Sequence, residues 1–128
     1  MSRRRVLEPA GVPKHKAPIP AGVRIGDLVF SSAIGGHDPA TGELPSEPER
    51  QVAFAFAHLR TLVESAGGTT ADIAKVTVYL KDMSHRELVN VEWLRLFPDE
   101  HDRPVRHALR ADLAGGMLVQ LEFIAALG

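Results

Sequence analysis

Residues 76–81 alternate strictly, with Val76, Val78 and Leu80 apolar and Thr77, Tyr79 and Lys81 between them. A period of two marks a strand with one buried face. Upstream, Val52, Ala55, Phe56, Leu59, Leu62 and Val63 recur at helical spacing up to Gly67-Gly68, which predicts a helix with one apolar face and a glycine stop. Ser46 and Glu49 predict a capping box at its start. Leu88, Val91, Leu94 and Phe97 predict a second helix, opened by a capping box of Ser84 and Glu87 and stopped by Pro98. Val23-Arg24-Ile25 and Leu28-Val29-Phe30 flank Gly26-Asp27, the signal of a two-residue hairpin. Two further strands are expected at about 105–113 and 117–126, joined at Gly115-Gly116. Residues 35–42 hold three glycines, Pro39 and Asp38 and read as a loop.

The predicted order is strand, strand, helix, strand, helix, strand, strand. Helices separated by single strands imply an α+β layer, with two helices on one face of a mixed sheet. Residues 1–20 form an expected lead-in, extended from Glu8 to Pro20 because four prolines lie there. Residues 21–128 form an expected single domain. Such a sheet has one covered face and one bare face. Arg106, Ala108, Arg110 and Asp112 share a face of their strand, as do Leu118, Gln120, Glu122 and Ile124 of theirs. Charge mixed with Leu and Ile fits neither closed core nor plain surface, so contact with further copies of the chain is expected.

With 128 residues the chain can bury one core without metal or disulfide staples, and its lack of cysteine removes thiol chemistry. A net charge of −1 gives no long-range pull toward nucleic acid or anionic membrane. Arg3-Arg4-Arg5, the only basic cluster, is followed by Glu8, Pro9, Gly11 and Pro13 rather than by an apolar run. No signal peptide or membrane span is expected, and the cytoplasm is the expected compartment.

The most informative segment is Arg103-Pro104-Val105-Arg106. An arginine at the opening of a strand is held on a rigid element, and its planar guanidinium can grip a carboxylate with two parallel hydrogen bonds. On pattern alone Arg106 is equally an ion-paired or solvated strand residue. His107 should point to the opposite face and is expected to be a core histidine. The remaining histidines show no metal-ligand spacing. Met117, Trp93 and the phenylalanines read as packing.

Residues 22–128 carry Gly26-Asp27-Leu28-Val29-Phe30-Ser31-Ser32, then residues 38–44 (Asp-Pro-Ala-Thr-Gly-Glu-Leu) and Gln51 with Leu59. Lys75 to Asp82, Val89-Asn90, residues 103–106 and Leu118-Val119-Gln120-Leu121-Glu122 follow in order. This ordered set resembles the Rid family, the YjgF-type reactive intermediate deaminases, also described as endoribonuclease L-PSP-like proteins. The resemblance implies a chorismate-mutase-like fold and a homotrimer with clefts at the subunit boundaries. It further implies hydrolysis of small enamine or imine acids to 2-oxo acids and ammonia, with Arg106 on the substrate carboxylate and no metal or cofactor. Asn90 matches a family position lining the cleft, or is structural, and Ser32 matches a recurrent family serine, or is a backbone-bonding strand residue; Ala33 follows Ser32, and Tyr79, on the sheet's bare side, is expected to border the pocket.

This chain departs from the active pattern at Ile19, Ala33, Ile34 and Gln120. Gln120 stands where the last strand usually presents Glu, and an amide cannot exchange a proton near neutral pH. Glu122, two residues on and on the same strand face, either supplies the missing carboxylate or is the true equivalent after a one-step shift of the preceding loop. The leading expectation is therefore deamination with Glu122 or Gln120 as the catalytic position. The alternative is a trimer that binds small carboxylates without turnover. RNA cleavage is disfavoured by the negative charge and by a single Trp and a single Tyr.

Overall fold

The structure, a computed structural model, describes residues 2–128. Seven strands form one sheet: β1 (Arg5–Leu7), β2 (Gly22–Ile25), β3 (Leu28–Ser31), β4 (Ile34–Gly35), β5 (Ile73–Leu80), β6 (Val105–Arg110) and β7 (Val119–Ala126). The order across the sheet is β1-β2-β3-β7-β5-β6, with β4 also pairing β7. Only β5 and β6 run parallel. A parallel pair needs a crossover, and α2 (Arg86–Leu96) supplies it. The longer α1 (Pro48–Ser65) lies between β4 and β5 in the chain. Both helices pack on one sheet face, the architecture anticipated from the element order.

The core sits between that face and the helices. Val76, Val78 and Leu80 of β5 and Val119, Leu121 and Phe123 of β7 meet Val52, Phe56, Leu59, Leu62 and Val63 of α1, all essentially inaccessible to solvent. Burying a side chain of this size contributes about 1.5–3 kcal/mol. Gly26 turns the predicted hairpin with φ +58°, and Gly67 ends α1 with φ +94°. Arg24 on β2 donates from Nη1 to the Ala66 carbonyl at 2.7 Å. A cation thereby meets the negative end of α1 and ties the hairpin to it.

Local starts differ from the sequence expectation. Glu47 caps α1 without a side-chain bond, Pro48 occupies the first turn, and Ser46 donates to the Glu47 carboxylate instead of a helix amide. Proline fixes the first-turn geometry and moves the start one residue past Ser46. Ser84 likewise does not cap α2: Asp82 accepts from the Ser84 amide at 2.9 Å and opens a 3₁₀ turn over Met83–His85. A reciprocal box does form at Thr69 and Asp72.

The lead-in is joined to the domain rather than separate from it. Its residues Arg5–Leu7 pair with β2, and Leu7 and Val12 enter the core. Residues 8–20 contain no regular element. β4 reaches into the start of the expected loop at Gly35; Gly36, just after it, passes so close to α1 that a Cβ would run into the Gln51 backbone. β6 ends at Arg110, earlier than expected.

Candidate functional site

Register decides which side chains can meet. Across β6, β5 and β7 the rows Arg106–Val76–Phe123, Ala108–Val78–Leu121 and Arg110–Leu80–Val119 lie on one face. Val76, Val78 and Leu80 are core residues, so Arg106 stands on the helix-covered side. The alternate rows, Val105–Lys75–Ile124, His107–Thr77–Glu122 and Leu109–Tyr79–Gln120, lie on the bare face. Two expectations are corrected here. Arg106 does not share a face with Gln120 and Glu122 in one chain, and His107 is exposed on the bare face rather than packed in the core. β6 is an edge strand whose apolar residues Val105 and Leu109 face outward, so alternation alone assigns its two faces wrongly.

On the helix side, Arg106 projects under α2. Its Nη2 donates to Asn90 Oδ1 at 2.8 Å, and its guanidinium stacks over the Trp93 ring, 4.9 Å from the centroid. The second terminal nitrogen, Nη1, is buried and has no partner. Burial, with the nearby Arg86 charge, draws the Arg106 pKa below its ordinary value. Arg106 forms no ion pair among the described residues. A half-buried guanidinium without an anion is costly, and a carboxylate is the group that would relieve it. Trp93, read from the sequence as packing, is thus also the platform beneath this group.

On the bare face, Tyr79 donates its hydroxyl to Glu122 Oε1 at 2.9 Å. The adjacent carboxylate raises the Tyr79 pKa, with burial adding to the shift, so the phenol stays a donor throughout the physiological range. Glu122 also borders a cleft of about 250 Å³ with Phe30, Ser31, Lys75, Thr77, Phe123 and Ile124. Gln120 is half-buried and its amide Nε2 contacts Met117 Sδ at 3.4 Å.

Ser32 and Ala33 follow β3. Ser32 Oγ donates to the Pro20 carbonyl at 2.7 Å, a backbone-bonding role, whereas Ser31 Oγ accepts from the Phe123 amide at 2.9 Å and lines the cleft. The pairing changes register between Phe30–Ile124 and Ile34–Leu121. Ala33 lies one residue before β4, where pairing with β7 begins at Ile34–Leu121. Arg106 with Asn90, and Tyr79 with Gln120 and Glu122, therefore form two groups separated by the sheet, with Ser32 and Ala33 in the link between β3 and β4.

Two polar side chains not singled out for a role organise this region. Gln51, buried in α1, donates to the Pro45 and Gly116 carbonyls at 2.8 and 3.1 Å and accepts from the Leu118 amide at 2.9 Å. It pins the turn before β7, and with it Gln120. His58, also buried, holds the His37 carbonyl through Nε2 at 2.6 Å. Burial lowers the pKa of both imidazoles. Among the described residues no three His, Cys, Asp or Glu side chains gather as a metal site, and no helix is long and apolar enough to cross a membrane.

The sequence and the fold are both similar to those of known proteins. The chain is 32% identical over 97 residues to a RutC family protein of Haemophilus influenzae, covering 76% of this chain and 75% of that one. It is 27% identical over 123 residues to the 2-iminobutanoate/2-iminopropanoate deaminase of Escherichia coli, covering 94% and 96%. The crystal structure of E. coli TdcF with bound serine superposes with a TM-score of 0.89 at 25% identity, over 97% of this chain and 99% of that one. The family model described as Endoribonuclease L-PSP matches residues 12–127, and the chain therefore belongs to that family, the Rid or YjgF-type proteins.

Proposed function

We propose that this protein hydrolyses small enamine or imine carboxylates to 2-oxo acids and ammonia, in clefts formed between copies of a homotrimer. The observation that carries this reading is Arg106, held by Asn90 and Trp93 without an anionic partner. The deaminase name of a relative aligned over nearly the whole chain supports the substrate class. Because Arg106 and Glu122 occupy opposite sheet faces, a site using both draws them from different chains. The bare face, which exposes Leu28, Phe30, Val105, Leu109 and Ile124, is the surface such copies would cover.

In this reading Arg106 fixes the substrate carboxylate and leaves carbon 2 in the cleft. Protonation of the enamine carbon by solvent gives the iminium. Glu122, oriented by Tyr79, takes a proton from water as its oxygen adds to carbon 2. That proton then passes to nitrogen, and ammonia leaves as the carbonyl forms and the hydroxyl proton passes through Glu122 to solvent. Positioning and one acid–base group suffice for so labile a substrate, contributing roughly 10²–10⁴ in rate for the proton transfers.

One feature favours a second reading, a trimer that binds small carboxylates without turnover. Gln120 cannot exchange protons and its amide is engaged by Met117. Ammonia release from 2-iminopropionate, followed with and without the protein, separates the two. Acceleration supports the deaminase, whereas saturable binding of a 2-oxo acid without acceleration supports the binder.

A further inference from the structure

Arg86 opens α2, and the stripe of α2 that faces Arg106 begins with it. Asn90 follows by four residues and Trp93 by seven, the spacing that stacks side chains on one helix face. Both later members touch the Arg106 guanidinium, Asn90 at 2.8 Å and Trp93 at 4.9 Å from the ring centroid. Arg86 therefore stands one turn along from Asn90 on the same face, and its charge contributes to depressing the Arg106 pKa.

Neither arginine forms an ion pair among the described residues. The acidic groups nearest in sequence do not neutralise them. Asp82 accepts from the Ser84 amide, and Glu87 forms no ion pair. Arg106 also keeps a buried nitrogen with no partner. Arg86 is exposed and Arg106 half-buried, and the two neighbouring cations repel each other. A monocarboxylate on Arg106 would leave Arg86 unmatched. An anion with two charged ends would turn the repulsion into two attractions.

We propose that Arg86 and Arg106 together recognise a ligand with two anionic groups, making the substrate of this site a small dicarboxylic 2-imino or enamine acid. Its carboxylate next to the reacting carbon lies on Arg106 and its distal carboxylate on Arg86. The inference rests on the reading of Arg106 as a carboxylate binder and adds the second anchor.

The test is calorimetric titration of the assembled protein with 2-oxobutanoate, 2-oxoglutarate and phosphoglycolate. Wild type should bind 2-oxoglutarate roughly 10- to 100-fold more tightly than 2-oxobutanoate, the contribution of one added charge-assisted contact. Arg86→Gln should collapse that preference, and Arg86→Lys should restore part of it. Equal affinity for the two oxo acids in wild type overturns the proposal. Tighter binding of phosphoglycolate than of 2-oxoglutarate overturns the dicarboxylate assignment. Arg86→Gln that weakens the oligomer in sedimentation, with the preference intact, assigns Arg86 to a subunit contact and also overturns it. Arg106→Lys titrated with 2-oxobutanoate keeps the two claims apart. Lost affinity upholds the Arg106 site even if the dicarboxylate preference is absent, and retained affinity removes the site itself.

Discussion

Arg106 and Glu122 stand back to back across one sheet: Arg106 is in register with Val76 on the helix side, and Glu122 with Thr77 on the bare side. No rotamer change brings their functional groups together through the sheet. Any chemistry that uses both needs a second copy of the chain, so the proposed site depends on assembly. In solution the protein should have about three times its 13.9 kDa chain mass. Light scattering that returns the monomer mass at micromolar concentration contradicts the assembly and the cleft together.

Arg106→Ala should weaken 2-oxo acid binding by roughly 10- to 100-fold, the value of a charge-assisted contact. Arg106→Lys should lose nearly as much, because an ammonium lacks the planar fork and the stack on Trp93. The melting temperature should drop only a few degrees, about 1 kcal/mol for the lost ring contact. Titration and melting curves on the same samples check both. A large stability loss with affinity retained would make Arg106 a structural residue.

Glu122→Gln should remove most turnover while leaving the oligomer intact. Tyr79→Phe deletes the 2.9 Å bond that orients that carboxylate. A contact to a charged but half-exposed group predicts about a three- to tenfold fall in kcat with KM little changed. Gln120→Glu restores a proton-exchanging group at the position where the family usually has one and should raise turnover. Steady-state ammonia release from the three variants is the measurement, and no change in any of them removes β7 from the cleft.

Buried His58 and half-buried His37 give the fold an acid limit. Burial lowers both folded-state pKa values from the ordinary 6.5, so the unfolded chain takes up protons first as pH falls. Stability is then full above about pH 6.5 and declines below it, through the lowered folded values. The melting temperature should fall more steeply between pH ~7 and ~5 in wild type than in His58→Gln, which lacks the buried imidazole.

How much of this was legible in the sequence follows from what each signal depends on. The 3.6-residue run from Val52 to Val63 and the alternation of Val76, Val78 and Leu80 depend only on chain-local burial, and both elements stand where expected. Gly26 and Gly67 did the same for turns, since positive φ needs no tertiary partner. The pairing of β6 was not legible, because an edge strand with apolar residues on its outward face inverts the usual inference from alternation to core. Nor was the Arg106–Trp93 stack, which joins residues thirteen positions apart through the β5–α2–β6 crossover. Ser46 and Ser84 carried correct capping spacing, but Pro48 and Asp82 set the starts instead. Arg86 gave no signal in the sequence beyond being one more surface arginine; its meaning comes only from the α2 stripe it shares with Asn90 and Trp93.

The most direct test mixes two inactive chains. Arg106→Ala and Glu122→Gln, each with little activity alone, are co-expressed and purified as mixed oligomers. If every site takes Arg106 from one copy and Glu122 from another, random mixing leaves about a quarter of the sites intact. Ammonia release from the mixture should then recover to about a quarter of the wild-type rate. A mixture as inactive as its parents, in oligomers shown to contain both chains, would contradict a site shared between copies.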